Sequence, residues 1–332
     1  MDCFWQSRSV LVTGAAGFTG YNLTLALQRL GANVRTFVRR GGSKRDFPEG
    51  IDVFTGDLTN VADCERACEG IDTVFHVAAV FRQVKGTRAE LEEVHVGATE
   101  NMLRAAHKNH CRRFVHTSTM GVHGHIVNGP GDENSPFSPG DDYQDTKLEG
   151  ELRALTLGKE LGVPVSVVRP CGIYGPGDTR FLKIVKPVSQ GRFVMIGSGE
   201  THYHFAYIDD LVQGFLLAGE KDAAVGESFL IGGEESPTLN ELVQTIASIV
   251  GVKPPRWRIP VWPIYYLGWA CEIVCKVIGI EPILHRRRVA FFTKNREYKM
   301  DKAKRLLGYE PKVNLHEGFS RMIDWYKKKG FF

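Results

Sequence analysis

Tyr143 and Lys147, four residues apart in Tyr143-Gln-Asp-Thr-Lys147, are a pair able to move a proton at a carbon–oxygen centre. On a helix this spacing sets the phenol and the ammonium on one face, with Cβ atoms about 5 to 6 Å apart. A phenol with a pKa near ~10 is a poor acid or base at neutral pH, and an adjacent cation favours its phenolate. By itself such a pair is also what an ordinary helix surface carries. Its surroundings argue for chemistry: His116-Thr117-Ser118-Thr119 closes an apolar run that begins at Arg113. Hydroxyls at the carboxyl end of a strand stand where open α/β sheets bind ligands.

A second set of residues reads as a nucleotide site. The strand-like run Ser9 to Thr13 leads straight into Gly14-Ala-Ala-Gly17-Phe18-Thr19-Gly20, which opens a segment of helical apolar spacing through Leu23 and Leu30. The first glycine permits a tight turn, the second lets backbone approach a pyrophosphate, and the third lets the helix pack closely on the sheet. An NAD site wants an acid about 20 residues beyond the glycines for the ribose hydroxyls. Here the next strand ends instead in Arg39-Arg40, with Lys44 or Arg45 as a further cation. Guanidinium groups there suit the ribose phosphate of NADP(H), which the sequence favours over NAD(H).

These two sets, with Asp57 in Gly56-Asp57-Leu58, His76-Val-Ala78-Ala79 and Arg169-Pro170-Cys-Gly172-Ile173-Tyr-Gly-Pro-Gly177, occur in an order that resembles the extended short-chain dehydrogenase/reductases, the NAD-dependent epimerase/dehydratase superfamily. The resemblance spans nearly the whole chain. It implies that Tyr143 is the general acid/base, that Lys147 holds the nicotinamide ribose and lowers the Tyr pKa, and that Thr119 hydrogen-bonds the reacting oxygen, with Ser118 the second choice. It also implies a cofactor path along Gly14, Gly17, Phe18, Thr19, Gly20, Asp57, Leu58, Ala78, Ala79, Thr117, Ser118, Pro170, Gly172 and Ile173. Asp57 resembles the adenine contact, although a turn or helix cap explains it equally well. Relatives are commonly homodimers, so a homodimer is expected. One departure stands out: in Val94-His95-Val96-Gly97-Ala98 a His occupies the place where many relatives have an Asn linked to a proton relay. His95 reads either as a substitute proton carrier or as a packed, satisfied histidine.

The superfamily contains both dehydrogenases and nucleotide-sugar epimerases or dehydratases. Sugar enzymes typically carry an Arg-Asp pair before the Asp-Asp of the returning segment and a later Arg-x-Gly-Asp. Here the two regions read Tyr203-His204 ahead of Tyr207-Ile-Asp209-Asp210, and Phe291-Phe-Thr-Lys294-Asn-Arg296-Glu-Tyr298. The carboxyl-terminal pattern and the aromatic insert look closer to the 3β-hydroxysteroid dehydrogenase and dihydroflavonol reductase branch. The expectation is therefore an NADP(H)-dependent alcohol/ketone oxidoreductase acting on a steroid-, flavonoid- or lipid-like substrate; the alternative is a nucleotide-sugar epimerase or dehydratase with tightly bound cofactor.

Short β-branched runs at Val10 to Thr13, Val34 to Val38, Thr73 to Val77, Arg113 to Thr117 and Val165 to Val168 alternate with helical segments, which predicts βαβ units on a parallel sheet. The fold class is α/β, a Rossmann-type doubly wound sheet with a smaller, discontinuous carboxyl-terminal substrate domain. The dinucleotide domain takes 1–175 plus a return to the sheet near 205–219, with Asp209 capping a helix from Leu211, and the substrate domain takes 176–204 and 220–332. With 332 residues, 43% of them hydrophobic, a sizeable core can form. A formal charge of +4 with no long run of like charge excludes nucleic acid as a main partner. Seven dispersed cysteines, never C-x-x-C, fit a reducing cytoplasm and no zinc ribbon, and the His-x-His pairs at 123/125 and 202/204 lack a third ligand, so no metal is expected. Val261 to Leu284 is apolar and aromatic but broken by Pro263, Glu272, Lys276 and Pro282, which suits a buried or membrane-surface segment better than a span.

Overall fold

A computed structural model describes residues 3–42, 45–80, 87–278 and 286–332, with backbone alone at 272–278 and 286–288. The strands are β1 (Ser9–Thr13), β2 (Asn33–Arg39), β3 (Asp52–Gly56), β4 (Thr73–His76), β5 (Arg113–Thr117), β6 (Val165–Pro170), β7 (Gly172–Tyr174), β8 (Met195–Ile196), β9 (Phe205–Tyr207), β10 (Ser228–Ile231) and β11 (Arg258–Ile259). The helices are α1 (Phe18–Arg29), α2 (Val61–Cys68), α3 (Arg88–Glu92), α4 (Ala98–Lys108), α5 (Asp142–Leu161), α6 (Leu182–Ser189), α7 (Ile208–Glu220), α8 (Leu239–Val250), α9 (Val261–Ile278), α10 (Arg286–Thr293), α11 (Asp301–Leu307) and α12 (Leu315–Lys328).

Seven parallel strands form one sheet in the order β10-β6-β5-β4-β1-β2-β3. Alternation along β1 shows why it is covered on both faces: Val10 and Val12 enter a core with Leu23 of α1 and Phe215 of α7, whereas Leu11 enters another with Cys64, Met102 and Leu157 of α2, α4 and α5. The chain reverses direction across the sheet between β1 and β4, whose ends are level at Thr13 and His76. That reversal opens a crevice beyond the carboxyl ends of the strands. The α5 helix that borders it is set at both ends: the Asp141 carboxylate accepts the Gln144 N–H at 2.9 Å, and Gly162 at φ 69° takes the left-handed closing position.

The structure departs from the sequence reading in several places. β3, an edge strand with Asp52, Val53 and Thr55 exposed, lacks the apolar run that announces an inner strand. β10 extends the sheet beyond β6 from within 220–332, the stretch expected for the substrate domain. The return segment does not rejoin the large sheet as a strand: β9 pairs with β7, Gly172 opposite Phe205, and only α7 packs back against β4, β5 and β6. Asp209 is not a cap, because α7 begins one residue earlier at Ile208 with extended Tyr207 before it, leaving Asp209 in the first turn. The insert at 261–284 is a continuous helix through Ile278; Pro263 falls in the first turn, where no N–H is lost. Trp262, Tyr266, Leu267 and Trp269 are exposed, Trp262 by 67%, so this face is not core. Among the described residues no helix is long and apolar enough to cross a membrane; residues 279–284 lie outside them.

Candidate functional site

Gly14 adopts φ 67°, and a Cβ on it would lie 2.7 Å from the Ala78 Cα, so only glycine allows the turn after β1 to lie against the loop after β4. Gly20 is equally constrained, since a Cβ there would collide with the Gly14 carbonyl. The Thr13 hydroxyl ties the same two loops together, accepting the Ala78 N–H at 3.1 Å with the His76 Nδ1 also at 3.1 Å. The result is a glycine cradle at the amino end of α1, pressed against the loop after β4.

This cradle forms one end of a cleft of about 570 Å³. Gly14, Gly17, Phe18, Thr19, Gly20 and Ala79 line it, as do Thr117, Ser118 and Thr119 from the end of β5, Tyr143 from α5, and Pro170, Gly172 and Ile173 after β6. The buried Thr117 Oγ1 has no hydrogen-bond partner among the described residues, whereas the Ser118 hydroxyl lies by the Glu151 carboxylate. A glycine cradle that side chains would fill, with the unpartnered Thr117 hydroxyl beside it, fits a bound dinucleotide.

Other expected positions lie elsewhere. Asp57 is exposed, and its Oδ1 accepts the N–H and hydroxyl of Thr59 at 2.9 Å, a local turn; Leu58 packs beside the core under α2 and α4. Neither lines the cleft. Arg39 and Arg40 are exposed at the end of β2, and Arg40 reaches Asp63 at 3.5 Å. Lys44 lies outside the described residues. Its neighbour Arg45 reaches the glycine loop, donating to the Ala16 carbonyl at 3.3 Å with its guanidinium 3.7 Å from the Tyr21 ring centre.

Lys147 is only 2% exposed, and its ammonium donates to the Thr117 carbonyl. Burial lowers its pKa from 10.5 to about 8, partly opposed by the Glu151 carboxylate one turn further along α5. Glu151 is itself fully buried and forks onto Arg169 of β6, with contacts at 2.5 and 3.0 Å, and accepts the Ser228 hydroxyl at 2.7 Å. Arg169 also donates to His123 Nε2 at 3.0 Å. A buried ion pair thus joins α5 to the sheet behind the ammonium. Thr119 has its hydroxyl 3.1 Å from the Gly121 N–H, which it caps.

His95 sits in a π-helical turn, Glu93–Gly97, where the extra residue per turn pushes a side chain out of the usual helical register. Its Nε2 accepts the Val80 N–H at 3.2 Å, so the proton is assigned to Nδ1, which contacts the Thr146 hydroxyl at 2.8 Å. Its ring meets Tyr143 edge-on at 5.5 Å. Burial, then the Lys147 charge, lowers its pKa to about 3. His95 is therefore a neutral cross-link between the loop after β4 and the helix of Tyr143, one proton on Nδ1 and none on Nε2, and it does not take up a second proton near neutrality.

Gln144, Arg180, Tyr203, Ala290, Phe291, Lys294 and Arg296 also line this cleft, and no local sequence signal places them there. The pattern Lys294-Asn-Arg296 was visible in sequence; its position was not. The His-x-His pairs are occupied structurally: His202 Nδ1 meets the Ser236 carbonyl at 2.6 Å and His204 Nε2 the Gly233 carbonyl at 2.8 Å. No cluster of metal-ligating side chains exists among the described residues.

Parallel strands with a glycine turn at the reversal point and a Tyr-x-x-x-Lys helix along the crevice define a Rossmann-type dinucleotide-binding enzyme. The chain belongs to the NAD dependent epimerase/dehydratase family, whose profile matches residues 10–232. It is 31% identical to short-chain dehydrogenase/reductase family 42E member 1 of Bos taurus, over 97% of this chain and 88% of that one. It is also 31% identical to 3 beta-hydroxysteroid dehydrogenase/Delta 5→4-isomerase of Mycobacterium tuberculosis, over 96% of this chain and 90% of that one. The crystal structure of gox2253 superposes with a TM-score of 0.82 at 27% identity, covering 98% of this chain and 99% of that chain. The chain is accordingly an NAD(P)-dependent enzyme of the oxidoreductase/epimerase type.

Proposed function

We propose that this protein is an NADP(H)-dependent oxidoreductase that interconverts a secondary alcohol and a ketone on a largely apolar substrate. The observation that carries the reading is one cleft that holds the glycine cradle, Thr119 and Tyr143 together with the aromatic walls Tyr203 and Phe291. When bound, the dinucleotide exchanges hydride with the substrate carbon. Tyr143 gives its phenolic proton to the oxygen on that carbon, or takes it in the reverse direction. Thr119 orients the same oxygen. Lys147 holds the ribose and, as a cation, favours the phenolate of Tyr143. The cradle residues and the loop after β6 hold the dinucleotide, and the partnerless hydroxyl of Thr117 supplies a further polar contact along it.

Preference for NADP(H) is supported by Arg39 and Arg40 at the end of β2 and by Arg45 turned onto the glycine loop. The exposed aromatic face of α9 supports peripheral membrane contact through 261–284, which flotation with lipid vesicles tests. The homodimer rests on family resemblance and is tested by light scattering of the purified chain.

A second reading, a nucleotide-sugar epimerase or dehydratase, draws support from Lys294 and Arg296 in the cleft, where a diphosphate could be held. One experiment separates the two. Purified protein is offered hydrophobic ketones and nucleotide sugars with NADPH or NADH, and net cofactor oxidation is followed. Net oxidation with a ketone, lost in Tyr143→Phe while NADPH still binds, is the expected result. Tightly copurifying cofactor and sugar conversion without net redox change would replace the first reading by the second.

A further inference from the structure

The cleft extends beyond Tyr143 to a wall built by α10 and the residues after it, where Phe291, Lys294 and Arg296 face the same space. Backbone contacts fix that wall. The Arg296 N–H donates to the His202 carbonyl and its carbonyl accepts the His204 N–H, both at 2.9 Å, and the Asn295 side-chain oxygen accepts the His202 N–H at 2.9 Å. The turn Lys294-Asn295-Arg296 is thereby clamped to the strand-like segment 202–204. Arg296 lies with its guanidinium 5.4 Å from the centre of the Tyr203 ring. The Lys294 ammonium lies 3.3 Å from where a Cβ on Gly140 would stand, over the entrance to α5 and three residues before Tyr143.

Both cations are half-buried, and neither pairs with a carboxylate among the described residues. Arg180, on the same cleft, differs: Asp178 grips it with contacts of 2.8 to 3.0 Å. A partly desolvated cation without an acid partner gains most from an oxyanion with which it can form a charge-assisted bond. Beside these cations stand the aromatic faces of Tyr203 and Phe291, 5.2 Å apart and suited to an apolar body.

We propose that Lys294 and Arg296 form an anion subsite, which holds a carboxylate or phosphate group of an otherwise apolar substrate while Tyr143 addresses its carbinol. This rests on the oxidoreductase reading and narrows it: the substrate is amphipathic and acidic. The subsite is tested by binding alone. The full chain saturated with NADP+ is titrated calorimetrically with naphthoate, naphthyl phosphate and the neutral naphthamide. The anions should bind at least about tenfold more tightly than the amide, equivalent to ~1.4 kcal/mol. That preference should fall to about twofold or less in Lys294→Gln/Arg296→Gln and persist in Lys294→Arg. NADP+ affinity and melting temperature of the double variant, measured alongside, should stay at wild-type values. A stronger response to naphthoate assigns a carboxylate, a stronger response to the phosphate assigns a phosphate, and either supports the subsite. Equal affinity for all three probes, no binding of any, a preference that survives the double variant, or a loss of NADP+ affinity in it would overturn the proposal. Tyr143→Phe should retain the anion preference while losing ketone-dependent NADPH oxidation; an anion preference in wild-type protein that oxidises no NADPH with any ketone sinks the redox reading alone, and NADPH oxidation without the preference sinks the subsite alone.

Discussion

Replacing Lys147 by Met should stabilise the fold while removing the proposed catalytic function. The ammonium is buried beneath the end of β5, and its pKa falls from 10.5 in an exposed setting to about 8, chiefly because burial penalises the charge. That difference corresponds to ~3 kcal/mol by which burial of the charged form disfavours folding. Met keeps the length of the side chain but leaves the Thr117 carbonyl without its Lys147 donor, which returns about 1 kcal/mol. The variant should therefore be more stable by about 2 kcal/mol at pH 7. The sign with pH follows from proton counting. Below pH 8 the lysine is charged in both states and the cost is fully felt; between pH 8 and 10.5 the folded protein has released a proton that the unfolded chain still holds, so wild-type stability rises with pH relative to the variant. Urea unfolding of both proteins at pH 7 and near pH 10 measures the difference. A variant less stable than wild type at pH 7, or a gap that does not narrow with rising pH, would refute the reasoning.

Acid should destabilise the protein steeply, because burial lowers the pKa of His76 and His95 to about 3 and that of His116 well below its ordinary 6.5. Unfolding near pH 5 should then take up about three protons at these sites, a slope of ~4 kcal/mol per pH unit seen by urea titration at several pH values. Glu151→Gln leaves Arg169 buried without its counter-charge and should cost about 3 to 5 kcal/mol, measured by chemical denaturation. Gly20→Ala forces a methyl against the Gly14 carbonyl and should weaken NADPH binding at least about tenfold in fluorescence titration while the far-ultraviolet dichroism is retained. His95→Ala removes the partner of the Val80 N–H and should cost about 1 to 3 kcal/mol in denaturation, without deleting any limb near pH 6.5 from the rate profile.

Much of the cofactor half of the site was legible along the chain because its signals are local. A glycine turn between a strand and a helix, two residues at helical spacing, and hydroxyls at a strand end each lie within a few consecutive positions. Inner strands announce themselves by unbroken apolar runs since both faces are covered, which is why β4, β5 and β6 could be read and the half-exposed β3 could not. Likewise, β9 reads as a strand in any context, and its composition contains nothing to choose between the large sheet and β7.

Residue order alone established the α/β class, the glycine cradle, the Tyr143 and Lys147 pair and the cations near the end of β2. Folding decided which distant segments share the cleft. It brought Lys294 from beyond the insert to the entrance of α5 and Arg296 to the same cleft, drew Arg45 onto the glycine loop, and left Asp57 in its own turn. It also made His95 neutral, by surrounding it with Val80, Thr146 and the Lys147 charge, groups separated by up to 67 positions. The physical reason is range: backbone propensity acts over a turn of helix, whereas burial, charge pairing and cleft shape depend on surfaces that meet only when the sheet is closed over by its helices.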